Sequence, residues 1–307
     1  MDIRKLVEDV KMKLDNKKLS ESSLKIYISN IKKLHKFITG KDQVTDLDFI
    51  YEEKKIEEFL KEKSISTQRN YYTYILALLN YDNLFNDKKN RDDILKYAKR
   101  VQDINKTREK QQEQNIVSEK KKEKQIPLSE LNQFVKEIKD SSPDIYIIIN
   151  FIMKYYYRNE AGKMKLIDLK TYNKQKKKLK ENYLVVGARK MMVSRNDYKT
   201  YDVYGNITNT ITDKSLKAFI RKYIKEKDLQ SGDVLFNYGS EQLSNRIAYL
   251  SQKKLNVKLG SASIFKIVMD NFVKDRKYTE VMKKLQEVSK LRGTTVEVLR
   301  KAYVNEE

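Results

Sequence analysis

Apolar residues recur at three- and four-residue intervals through most of this chain, and that period predicts a largely helical protein. Between Ser20 and Thr39 one stripe runs through Leu24, Tyr27, Ile28, Ile31, Leu34 and Ile38, behind a Ser-Glu-Ser-Ser start that suits a helix cap. A second helix is expected over 56–63. Ser64-Ile65-Ser66-Thr67 then begins a longer one that carries Tyr71, Tyr72, Ile75, Leu78 and Leu79. Together these predict a compact helical domain over 1–104. His35 lies beside the first stripe; with no other His and no Cys to share a site, it reads as a core-edge residue rather than a catalytic one.

From Asn105 to Gln125 the chain is almost wholly polar, and 105–126 reads as a linker or as a helical extension of the first domain. Pro127-Leu128-Ser129-Glu130-Leu131 starts the next helix, and Pro143 starts an apolar stretch that reaches Tyr157. Here the pattern changes. Tyr183 to Gly187, Met191 to Val193 and Asn206 to Ile211 are short and β-prone, with a turn at Tyr204-Gly205-Asn206. Helices resume over 214–225, 240–253, 263–274, 277–290 and 295–303. The expected fold is mainly α with a small antiparallel β-sheet (α+β), in which 127–307 forms the second domain. Only 2 prolines and 8 glycines interrupt the pattern, which fits few tight turns. No repeat period and no Gly-rich phosphate loop is visible, so a nucleotide-driven motor is not expected.

Charge narrows the partner. The chain holds 65 Lys+Arg against 43 Asp+Glu, a formal net charge of +22, which favours a polyanion: nucleic acid first, an acidic membrane surface second. The runs Lys120-Lys121-Lys122 and Lys176-Lys177-Lys178 read as solvated loops rather than nuclear signals. The lack of cysteine excludes disulfides, thiolate zinc sites and thiol nucleophiles, and a single histidine excludes a His-rich metal site. Met1 to Lys5 lacks the apolar run of a signal peptide, and the stretch near Ile145 to Ile152 is too short for a membrane span, so an intracellular soluble protein is expected.

Four stretches carry candidate chemistry. Arg158 follows the apolar helix and precedes Met164-Lys165-Leu166-Ile167-Asp168-Leu169. Its guanidinium can offer two parallel hydrogen bonds to phosphate oxygens and stays charged at any working pH. Lys199 stands in Asp197-Tyr198-Lys199-Thr200, ahead of the Gly205 turn and a strand. Gly260 to Ile267 contains Ser263 and Lys266. Leu291-Arg292-Gly293-Thr294 precedes Tyr303, with Thr294 nine positions before it. A phenol of ordinary pKa (~10) is a weak nucleophile at neutral pH, so the neighbouring Arg300 and Lys301 favour its reactive form. In the first domain, Lys25, Ser66, Thr67, Gln68 and Arg69 are candidates for phosphate contacts near helix starts.

In order and spacing these stretches resemble the tyrosine recombinase/integrase family, in particular its divergent members in large DNA viruses and mobile elements. The resemblance covers most of the chain. It implies a helical core-binding domain ahead of a catalytic domain, double-stranded DNA as partner with room for self-association on it, and no cofactor, metal, nucleotide or membrane. A virus-associated place, or the host nucleus or cytoplasm, would fit. By the same resemblance Arg158 would clamp the scissile phosphate and Lys199 would protonate the leaving 5′ oxygen. Ser263 and Lys266 occupy the family's His-x-x-Arg box, Thr294 stands where His or Trp is usual, and Tyr303 would be the nucleophile that forms a 3′-phosphotyrosine. The chain departs from the pattern at three of these. Ser263 lacks the imidazole, Lys266 keeps the charge but loses the bidentate fork, and the Thr294 hydroxyl has less reach and no charge. Val304 to Glu307 is too short for the tail helix by which family members dock onto a neighbour, so tail-swapped assembly is not expected. Two other readings stay open: a DNA-binding protein of this fold that has lost catalysis, and a type IB topoisomerase, against which the recombinase-like first domain counts. An RNA-binding structural protein is the weakest reading, since no aromatic stacking motif of the usual kinds is visible.

Overall fold

A computed structural model of the chain describes residues 2–15, 21–85, 91–113, 125–274 and 278–303. It divides into two compact units, Met1–Gln114 and Asn115–Glu307. The Ser20 cap, the Lys120 to Lys122 run, the start of the expected 277–290 helix and the segment after Tyr303 lie outside the described residues.

In the first unit, α1 (Ile3–Asp15), α2 (Glu21–Thr39), α3 (Glu53–Leu60), α4 (Ile65–Phe85) and α5 (Arg91–Glu113) enclose one core. The apolar stripe of α2 is the reason it packs: Leu24, Ile31, Leu34 and Ile38 are buried, while Tyr27 and Ile28 pack at its margin. From α4, Tyr71, Tyr72, Ile75, Leu78 and Leu79 meet that stripe. His35 is buried, its ring edge-on to Phe49 and its Nδ1 3.1 Å from the Lys41 carbonyl. The start signal at Ser64 works through its side chain, whose Oγ accepts from the Thr67 amide at 3.3 Å. Gln68 donates to the Leu60 and Lys63 carbonyls, and the Arg69 Nε donates to Asn105 at 2.7 Å. Both side chains are half-buried. Lys25 and Ser66 remain exposed. Residues 105–113, in the polar stretch, continue α5 as a helix.

The second unit starts with α6 (Leu128–Glu137) and α7 (Pro143–Tyr155), which has proline at its first turn, where the missing N–H costs nothing. The sheet follows: β1 (Lys163–Asp168), β2 (Tyr183–Val186), β3 (Met191–Arg195), β4 (Ile207–Thr210) and β5 (Val234–Asn237), in the order β4-β3-β2-β1-β5. The expected antiparallel sheet is corrected to a mixed one. β1 and β2 are parallel, because α8 (Leu169–Gln175) carries the chain back across the sheet between them. The other three pairings are antiparallel. β1 and β5 have no counterpart among the expected strands.

Alternation along the strands splits the core. Met164, Leu166, Leu184, Met191 and Val193 face the main core beneath α6, α7, α10 (Lys214–Glu226) and α11 (Ser240–Leu255). Ile167, Tyr183, Val185 and Met192 face a smaller cluster with Tyr172 of α8. A third cluster forms where α12 (Ser261–Lys274) meets α13 (Tyr278–Arg292) and α14 (Val296–Tyr303). It contains Tyr156, Phe265, Leu285, Val288 and Leu299, with Tyr303 packed against it. Among the described residues no helix is long and apolar enough to cross a membrane.

Candidate active site

Three chain turns deliver the site. The first ends α7, where Tyr156 adopts a left-handed conformation at φ 58°. A tyrosine there is strained, by about 1–3 kcal/mol. The turn sends the Tyr157 ring into the core, where burial pushes its phenol up to about 12, and brings Arg158 out half-buried, followed by Glu160.

The second turn ends α13 in a Schellman arrangement. The Thr294 amide donates to Ser289 O at 2.9 Å and the Gly293 amide to Lys290 O at 3.3 Å, with Gly293 at φ 64°. A Cβ on Gly293 would fall 2.0 Å from Thr200 Oγ1, so only glycine permits this approach. The turn launches α14, which presents Tyr303 to α12. Phe265 of α12 packs against the phenol ring, at 4.9 Å between ring centroids. Ser263 and Lys266 lie half-buried on the same helix.

The third is the connection between the antiparallel strands β3 and β4. It contains α9 (Tyr201–Tyr204) and holds Lys199 exposed. Two hydrogen bonds tie this loop to the α13 turn: Thr200 Oγ1 donates to Gly293 O at 2.9 Å, and the Tyr204 hydroxyl donates to Thr294 O at 3.0 Å. Thr294 thus takes part through its main chain.

Two buried arginines hold these pieces together, and neither was among the expected site residues. Arg195, at the end of β3, is 0% exposed. Its Nη1 donates to Leu291 O at 2.6 Å and its Nη2 to Tyr155 O at 3.4 Å, so it satisfies carbonyls at the ends of α13 and α7. Glu160 lies 3.7 Å from it, and the Tyr157 ring lies 3.9 Å below its guanidinium.

Arg292 is 2% exposed and stacks 3.5 Å from the Phe265 ring centroid and 5.1 Å from that of Tyr303. Burial draws its guanidinium down to about 10; Arg158 adds to this, while Tyr303, through charge and a hydrogen bond, and Glu160 oppose it. It is still a cation at neutral pH. Its Nε and Nη1 have no hydrogen-bond partner. A signal for it exists in the sequence: Val281, Leu285, Val288 and Arg292 are spaced by four, three and four, so the arginine takes the next place on the buried stripe of α13.

Of the expected residues, Arg158 and Tyr303 converge around Arg292. Thr294 and the Lys199 loop connect to that centre through the Gly293 turn, and Ser263 and Lys266 share the helix of Phe265. Among the described residues no group of three or more His, Asp and Glu side chains comes together that could hold a metal ion.

No family model, curated protein or solved structure matches this chain.

Proposed function

We propose that the chain is a site-specific DNA recombinase or integrase that cuts and rejoins duplex DNA through Tyr303. The supporting observation is the Arg292 guanidinium 5.1 Å from the Tyr303 ring centroid, with the charge of Arg158, from a segment far earlier in the chain, close enough to act on Arg292. Positive charge at that point stabilises the negative charge that builds on a phosphodiester during in-line attack. In this reading Tyr303 gives its proton to solvent water and its oxygen attacks phosphorus, and the bond from phosphorus to the 5′ oxygen breaks. Lys199 gives that oxygen a proton, leaving a 3′-phosphotyrosine and a 5′-hydroxyl. Attack by the 5′-hydroxyl of another strand reverses the steps. The covalent link conserves the phosphodiester bond, so neither nucleotide nor redox partner enters the balance.

The test uses nicked duplexes, which trap the covalent intermediate because the short leaving strand diffuses away. Wild-type protein is expected to form an adduct that survives a denaturing gel, and Tyr303→Phe is expected to form none. Equal adduct from both proteins rejects the assignment. A second reading, a DNA-binding protein without catalysis, is favoured by Ser263, Lys266 and Thr294, which lack the family's imidazoles and second box arginine. It predicts steeply salt-dependent DNA binding with no adduct. Efficient relaxation of supercoiled plasmid without recombined products would instead favour the topoisomerase.

A further inference from the structure

Arg292 sits almost out of water, yet three of its five N–H donors, those on Nε and Nη1, meet no acceptor. Buried donors in proteins are paired as a rule, and a buried charge especially so. The nearby groups do not supply the balance. Arg158 adds a second positive charge, and the Glu160 carboxylate is shared with Arg195. The Tyr303 hydroxyl hydrogen-bonds to Arg292, and Tyr303 and Arg158 are only half-buried. A dry cation with free donors, beside a second cation and a nucleophile, is shaped for an anion.

We propose that Arg292 is the second guanidinium of a phosphate clamp, binding with Arg158 the non-bridging oxygens of the phosphodiester that Tyr303 attacks. This rests on the strand-cleavage reading above. Alignment by sequence order puts the second clamp position at Lys266, whose ammonium has no planar fork. Arg292 brings that fork from a different helix, and stacking on Phe265 holds its plane. A guanidinium fixed in a water-poor site needs no reorganisation as charge develops on the phosphate.

Arg292→Met tests this, because methionine keeps much of the volume and the contact with Phe265 but removes charge and donors. In arginine 1H–15Nε spectra of the full chain, the resonance missing from the variant identifies Arg292. Inorganic phosphate added at constant ionic strength is expected to shift that resonance in the wild type. The variant is expected to melt at or above the wild-type temperature, since unpaired buried donors are gone. On a nicked phosphodiester duplex it is expected to lose about 100-fold or more in adduct rate. On a methylphosphonate duplex, in which a methyl group replaces one charged oxygen, its loss relative to wild type is expected to stay under about tenfold, because there is less charge to neutralise.

An Arg292 resonance indifferent to phosphate overturns the proposal. So does a melting temperature well below wild type combined with equal losses on the two substrates, which would mark a structural arginine. If wild type forms no adduct on either duplex, the strand-cleavage reading falls while the phosphate response of Arg292 still decides whether an anion site exists.

Discussion

The end of β3 and the end of α13 each bury an arginine, and the two are paired to different extents. Around Arg195 the chain has arranged acceptors: the carbonyls of Leu291 and Tyr155, the Glu160 carboxylate and the face of Tyr157. Around Arg292 it has arranged a ring face, a phenol and another cation, and has left donors unpaired. Burial alone does not separate them. The difference lies in who satisfies the N–H groups. The first arginine finds acceptors for both terminal nitrogens, leaves only Nε unpaired and joins three segments; the second leaves Nε and Nη1 without a partner.

The largest effect is expected at Arg195. Replacing it with methionine strands two helix-end carbonyls and a carboxylate, and equilibrium urea unfolding should show a loss of about 3–5 kcal/mol. A loss under about 1 kcal/mol would erase the distinction drawn between the arginines.

Next comes Gly293→Ala, which forces an L residue into positive φ and drives its Cβ into Thr200. About 2–3 kcal/mol of destabilisation is expected. Adding Thr200→Ala should return at least about 1 kcal/mol of it, and a strictly additive double mutant would show that the Lys199 loop does not press on this turn.

Asp213 is an ordinary helix cap for contrast. Its side chain accepts from the Leu216 amide at 3.0 Å and pairs with Lys154, and Asp213→Ala should cost about 1 kcal/mol. It also gives the protein an acid limit. The hydrogen bond from Lys154 holds the Asp213 carboxyl well below its usual 3.8, and hydrogen bonds from Thr171 hold Asp168 at about 2. Both are depressed, so the unfolded chain binds more protons as pH falls. Their stabilisation is fully present above about pH 4 and declines as pH drops towards 2. Acid titration followed by circular dichroism should show a shallower loss in Asp213→Asn than in wild type.

The smallest change in stability is expected at Arg292. Methionine there should leave unfolding within about 1 kcal/mol of wild type, or raise it, because a poorly paired buried charge contributes little to folding. Together with the loss at Arg195, this would make exposure a poor guide and hydrogen-bond accounting a good one.

How much of this was legible in the chain depends on whether the signal was local. The stripe of α2, the start signal at Ser64, the strands near 183 and 191 and the terminal helix before Tyr303 follow from periodicity and capping, which neighbouring residues impose on one another. The parallel pairing of β1 with β2 was not legible, since it depends on a crossover through α8 and on partners distant in the chain. The hydrogen bonds of Gln68 and Arg69 to Leu60, Lys63 and Asn105 were not legible either, since polar residues near a helix start resemble one another in sequence.

By itself, then, the sequence determined a basic, mostly helical chain, the position of a C-terminal tyrosine behind a cluster of cations, and an arginine after an apolar helix. The tertiary structure decided which cations belong together. Lys266 was the expected partner by order along the chain, but a guanidinium acts through distance and desolvation. Those are set by how α12, α13 and α14 pack around Phe265, and that packing placed Arg292 beside Tyr303.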